Sequence, residues 1–202
     1  MDLRPEEIRV LGALVEKQRT TPDQYPLSLN ALRVACNQSS NREPVVDFDE
    51  ATIREALERL SRRRWVRLAS GAGSRATKYR HLLDEALDLS GAETSVLAVL
   101  MLRGPQTPGE LRARTERLHG FADHDELREA LGRLAERGLV AGVGRQPGQK
   151  EERYAHLFGD AGVTEAPEAA DTLEERVARL EGEVEMLKNA VQGTHSGVKP
   201  SD

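Results

Sequence analysis

Apolar positions in this chain follow a helical spacing, then switch to alternation, and the cycle runs twice. In the first cycle Ile8, Leu11, Leu14 and Val15 form one helical stripe, which predicts a helix from Pro5 to about Gln18. Pro5 suits its first turn, and Glu6 and Glu7 complement the positive end of its dipole. Thr20 to Pro26 is a polar connection with two prolines, leading into a short strand. Ser28 is placed to cap a second helix carrying Leu29, Leu32 and Ala35. A long loop, Asn37 to Phe48, follows. Asp49 then opens a third helix with Ile53, Ala56, Leu57 and Leu60 turned inward. Trp65 to Leu68 and Ala76 to Leu82 alternate as strands around the Gly71-Ala72-Gly73-Ser74 turn.

The second cycle repeats the first. Ala92 to Leu102 is its first helix, and Thr107-Pro108-Gly109-Glu110 is a capping box that opens its second. A third helix starts at Asp123 or Asp125 and stops at Gly138. Leu139 to Val143 and Glu152 to Phe158 form the strands. The repeat is also one of letters: Ile53 to Val66 aligns without a gap on Leu127 to Val140, 74 positions later, and Tyr79-Arg80-His81-Leu82 answers Tyr154-Ala155-His156-Leu157. Helix, capped helix, amphipathic helix and a glycine-turned hairpin are the order of a winged helix-turn-helix domain. The expected fold is therefore mainly α with small β wings, two tandem winged-helix domains spanning 1–89 and 90–160. Val96 to Leu102 is apolar all round, with Leu102 where the first copy has Glu16. Such a helix is buried on more than one side, which predicts packing between the domains, with a dimer contact as the next reading.

Residues 161–171 are rich in Ala, Glu and Pro and read as a linker. Over 172–192 the apolar positions Leu173, Val177, Leu180, Val184, Leu187 and Val191 alternate in steps of four and three, with Val at a and Leu at d. That pattern favours a parallel two-stranded coil, and therefore a homodimer. The alternative is an amphipathic helix folded back on its own domain. Residues 193–202 read as a disordered tail.

Composition narrows the class of function. Aromatic residues make up 3% of the chain, so the cores rest on Leu, Val, Ile and Ala, and the lone Cys36 excludes an internal disulfide. The chain starts without a signal-peptide pattern, and no apolar run is long enough to span a membrane, which makes the reducing cytoplasm the expected location. A net charge of −5 gives no global argument for nucleic acid. The distribution says more: Ile53 to Leu82 holds nine basic and two acidic residues, His124 to Leu157 holds six of each, and Phe158 to Asp202 holds ten acids and four bases.

A long run of residues points to a family. Arg9-Val10-Leu11-Gly12-Ala13-Leu14-Val15-Glu16-Lys17 is followed by Thr20-Thr21-Pro22-Asp23-Gln24-Tyr25-Pro26-Leu27-Ser28-Leu29-Asn30-Ala31-Leu32. Then come Ala35-Cys36-Asn37-Gln38, Ser40-Asn41-Arg42 and Pro44-Val45. Together they closely resemble the YceH-like family of bacterial proteins, over Leu3 to about Phe158. The resemblance implies the tandem winged-helix fold and leaves the function open.

The densest candidate chemistry is basic. Arg54, Arg59, Arg62, Arg63 and Arg64 lie on or just after the third helix, and Arg67, Arg75, Lys78 and Arg80 on the wing. Such a surface can follow a phosphate backbone, so the expected function is a DNA-associated regulatory protein that binds duplex DNA there. Against this, the start of the third helix carries Asp47, Asp49, Glu50 and Glu55, and its repeat carries Asp123, Asp125, Glu126 and Glu129. These carboxylates repel phosphates. The alternative is therefore an interaction scaffold whose winged helices bind an unknown protein partner. The polar residues Asn37 to Arg42 of the loop Asn37 to Val46 read first as caps that tie helix ends and loop together, with binding of a ligand or partner as the alternative. Catalysis finds little support, and neither a metal nor a cofactor is expected. The histidines lack ligand spacing, the glycine turn is no phosphate loop, and Cys36 reads as a small core residue. His81 and His156 occupy equivalent positions, which predicts a structural role for both.

Overall fold

The computed structural model describes residues 2–69, 77–143 and 152–159. The first half runs α1 (Pro5–Thr20), a short 3-10 turn at Pro22–Gln24, β1 (Leu27–Ser28), α2 (Leu29–Cys36), α3 (Glu50–Arg62), β2 (Val66–Leu68) and β3 (Lys78–His81). A five-residue helix that the spacing does not predict, α4 (Leu83–Leu87), leads into the second half. That half contains α5 (Gly91–Arg103), α6 (Pro108–Thr115), α7 (His124–Glu136), β4 (Val140–Val143) and β5 (Arg153–His156). The protein is thus mainly helical with small antiparallel sheets. The coil positions Leu173, Val177, Leu180, Val184, Leu187 and Val191, both hairpin turns and Arg75 lie outside the described residues.

Local chemistry sets the helix starts. The Ser28 and Asp49 side chains accept the N–H groups of Ala31 and Thr52, at 3.3 and 2.8 Å. Thr107 and Glu110 exchange the two bonds of a capping box, and Asp123 accepts from both Asp125 and Glu126. Burial then follows the repeat. Ile53, Ala56, Leu57 and Leu60 on α3 are buried, as are Leu127, Ala130, Leu131 and Leu134 at the same places on α7. Leu32 of α2 and Leu111 of α6 match in the same way, 79 positions apart.

The sheets repeat as well. β3 lies between β1 and β2, with Leu27 opposite Tyr79 and Val66 opposite His81. In the second half β4 pairs with β5, and a single bridge from Gln106 to Tyr154 stands where β1 stands in the first. The two histidines share one device. Each is buried, and its Nδ1 accepts the N–H two residues on, Leu83 at 3.3 Å and Phe158 at 3.4 Å. Burial pushes both imidazoles down to about 4, so each is neutral and can accept that bond.

The halves are interlocked. α5 is buried without interruption from Ala92 to Leu102, and α1 from Glu7 to Val15. Where they cross, a Cβ on Gly12 would sit 3.1 Å from Leu102 Cγ and from Met101 Cβ, so glycine sets how closely the helices approach. Phe158, from the end of the second half, packs edge-on against Trp65 of the first at 5.7 Å between ring centroids, and its carbonyl accepts the Leu3 N–H at 2.7 Å. Leu3, the α1 and α5 stripes and Phe158 belong to one continuous hydrophobic core.

Candidate nucleic-acid interface

The basic residues of the first half separate into two groups. One group is held by the fold. Arg59 reaches from α3 to the start of α1, 3.1 Å from Glu6 and 3.9 Å from Glu7, and 3.4 Å from Glu55 on its own helix. Arg63 donates to the Asp2 carbonyl at 3.0 Å, and Arg80 pairs with Glu85 at 2.8 Å. Arg62 lies 3.8 Å from Glu58, both well exposed, an arrangement that contributes little.

The second group is open. Arg54, Arg64, Arg67 and Lys78 make no ion pair or side-chain hydrogen bond among the described residues; Arg54, Arg64 and Arg67 are exposed and Lys78 is half-buried. Arg67 stands directly opposite Arg80 across β2 and β3, and Lys78, two residues before Arg80, lies on the same face. Like charges opposite one another repel, and here only Arg80 has a carboxylate to relieve it. Arg64 carries a backbone oddity. It closes α3 with a left-handed φ of 63°, where its repeat equivalent is Gly138 with φ 64°. Glycine adopts that conformation freely, and a side chain there costs about 1 kcal/mol.

The carboxylates at the start of α3 and α7 have local uses. Asp49 and Asp123 cap their helices, and those backbone N–H bonds hold each carboxyl below its usual range. Glu126 accepts the Ala122 N–H at 2.8 Å.

The long loop is tied down from beneath by two buried arginines. Arg9 of α1 donates to the carbonyls of Cys36 and Pro44 at 3.0 and 2.6 Å. Arg42 donates to the Ala35 carbonyl and to Glu16 at 2.6 Å. Burial would raise the Glu16 carboxyl, but Arg42 and Lys17 together outweigh it and hold the group below its ordinary value. Asn37 exchanges two bonds with the Phe48 backbone, at 2.8 and 2.9 Å. Cys36 lies beneath, its thiol pushed up to about 12 by burial. Arg42 belongs to the polar loop set that the sequence offers as caps, but spacing alone could not find Arg9, whose carbonyl partners lie 27 and 35 positions away.

Comparison with known proteins places the chain in a family. Residues 3–149 match the family described as "Protein of unknown function, DUF480". The chain is 46% identical over 211 residues to a UPF0502 protein of Serratia proteamaculans (strain 568), covering 96% of this chain and 98% of that protein. It is 52% identical over 179 residues to a UPF0502 protein of Citrifermentans bemidjiense, covering 88% and 82%. Against the UPF0502 protein YceH of Salmonella newport it is 46% identical over 200 residues, covering 93% of each. The chain belongs to this YceH-like family.

Proposed function

We propose that each half is a winged helix-turn-helix and that the protein is a DNA-associated regulator that docks duplex DNA on the first half, along the exposed side of α3 and the β2–β3 hairpin. The observation that carries this reading is the contrast in free positive charge between equivalent surfaces. Arg54, Arg64, Arg67 and Lys78 have no ion pair or side-chain hydrogen bond among the described residues, whereas the counterparts of the last three are Gly138, Ala141 and Arg153, which Glu110 holds at 2.7 Å; Arg54 answers to Arg128, whose pair with Asp125 is too exposed to cancel its charge. A charge left exposed and unpaired is available to displace counterions from a phosphate backbone. The left-handed Arg64 supports the same reading, since glycine would fit that position with less strain. Arg59 and Arg63 then serve to fasten α3 to the N-terminal segment.

Fluorescence anisotropy with mixed-sequence duplexes at rising salt tests this. The variant Arg54→Ala/Arg67→Ala/Lys78→Ala should weaken binding and reduce the salt slope by about 0.9 per lost contact, while Arg133→Ala/Arg137→Ala should bind as wild type does. No binding by wild type at low salt would remove the reading and leave the protein-scaffold alternative. A homodimer through the heptads would present two such surfaces. Sedimentation of Val184→Asp at several concentrations tests that part, and an unchanged mass would remove it.

A further inference from the structure

A second cluster of arginines, sharing no residue with the surface above, lines a cavity of about 290 Å³ where the first half meets α5 and α6. Arg103 ends α5, and Arg114 and Arg117 lie one turn apart at the end of α6 and just beyond it. Opposite them is Asn41, from the long loop of the first half. Val99, Leu102 and Leu118 give the same cavity an apolar wall.

The positive charge here is not cancelled. Arg103 donates to the neutral Asn41 amide oxygen, and its guanidinium is held below its ordinary value by burial first and then by Arg114 and Arg42. Arg114 lies 3.6 Å from Glu110, but Glu110 is also held at 2.7 Å by Arg153. Arg117 has no partner among the described residues. Glu16, the carboxylate on this wall, is already bound by Arg42 at 2.6 Å and lies 3.5 Å from Lys17. A second cavity, of about 580 Å³, shares Asn41, Arg103 and Arg114, and on its wall Glu43 is a further acid.

Two of the three arginines are particular to the second half: Arg103 answers to Lys17, 86 positions earlier, but the equivalents of Arg114 and Arg117 are Ala35 at the end of α2 and Gln38 just beyond it, 79 positions earlier. There the guanidinium of Arg42 lies against both, donating to the Ala35 carbonyl at 2.9 Å and to Gln38 at 2.8 Å.

We propose that this cavity binds a small organic anion, its oxyanion head held by Arg103, Arg114 and Arg117 and a short apolar body lying on Val99, Leu102 and Leu118. Guanidiniums match carboxylate and phosphate oxygens equally well in geometry, and a few polar groups around an apolar wall are the usual make-up of a small-ligand site. Asn41 and Glu16 come from one half and the arginines from the other, so the ligand would touch both.

The experiment is calorimetric titration of the full chain at constant ionic strength with hexanoate, hexyl phosphate and inorganic phosphate. Saturable binding of one or both alkyl anions, tighter than that of inorganic phosphate, is expected. Arg103→Gln/Arg114→Gln should lose at least about tenfold in affinity. Ala113→Phe, at an exposed position on the cavity wall, should fill the space and abolish binding, with the thermal transition showing that it folds. Absence of binding by all three anions, or binding that both variants leave unchanged, overturns the proposal. Equal binding of inorganic phosphate overturns the apolar half of the site. Both variants should bind duplex DNA as wild type does, and Arg54→Ala/Arg67→Ala/Lys78→Ala should bind the alkyl anion normally, so each site can fail without the other.

Discussion

Arg59 of the first half and Arg133 of the second make the same contact. Each reaches from the third helix of its half to the glutamate in the first turn of the first helix, Glu7 or Glu93, at 3.9 and 3.1 Å. Each glutamate also accepts a backbone N–H at the start of that helix, from Arg4 at 2.8 Å and Ser90 at 2.7 Å. In Glu93, burial would raise the carboxyl, but the Ser90 bonds and Arg133 outweigh it and hold it below its usual value. Four positions further on the halves still agree, Arg63 and Arg137 both donating to carbonyls, but on either side they part: Arg62 and Arg64 correspond to Glu136 and Gly138. Residues that hold the skeleton are therefore kept in both copies, and the charge outside the skeleton is free to differ. That difference is where function is to be sought.

The largest test of the shared skeleton is in the core. Leu57→Ala and Leu131→Ala should each cost about 2 to 5 kcal/mol, read from urea midpoints. With one continuous core both should shift a single transition. Two separate transitions would show that the halves unfold independently.

The paired histidines give the next effect. Both stay neutral in the folded protein down to about pH 4, whereas the unfolded chain takes up protons from about pH 6.5. The unfolded state binds more protons in that window, so stability is full above it and falls as pH drops, by up to about 3 kcal/mol per histidine. His81→Gln and His156→Gln should each flatten the pH profile of the urea midpoint by a similar amount. A flattening in only one variant would show that the two imidazoles are not equivalent.

Gly12→Val tests how the halves join. The added atoms meet Leu102 and Met101 at 3.1 Å from the first carbon onward, and overpacking of this kind costs about 1 to 3 kcal/mol. Its thermal transition should fall accordingly, and an unchanged transition would mean that the helix pair can yield. Smallest is the exchange at the end of the third helices. Arg64→Gly should stabilise and Gly138→Arg destabilise, each by about 1 kcal/mol, since both positions hold a left-handed backbone. Equal and opposite shifts would establish that only the side chain at 64 separates these two turns.

Much of this was legible along the chain. Ser28, Asp49 and Thr107 with Glu110 cap where they were expected to, because capping is a bond between residues two or three apart. The apolar run Val96 to Leu102 announced a doubly buried helix, and α5 is that helix. The α4 turn was not foreseen. Arg59 read as one of a group of surface bases, because its partners Glu6 and Glu7 lie more than fifty positions earlier. Its repeat could have shown otherwise, since an arginine and a first-turn glutamate recur together in the second half. Arg103, Arg114 and Arg117 gave no signal, being spread over α5, α6 and the turn after it, which only the fold brings to one cavity.

The sequence by itself determined what depends on neighbours: the helical stripes, the caps, the strand alternation, the repeat and the family. Which charges remain free was decided only by the tertiary structure. An ion pair forms where packing brings two side chains within a few ångströms, and the sequence separation between Arg42 and Glu16, or between Arg133 and Glu93, carries no record of that distance. The closeness of α1 and α5 is of the same kind. Gly12 permits it, but only the helix that arrives opposite makes a missing side chain necessary.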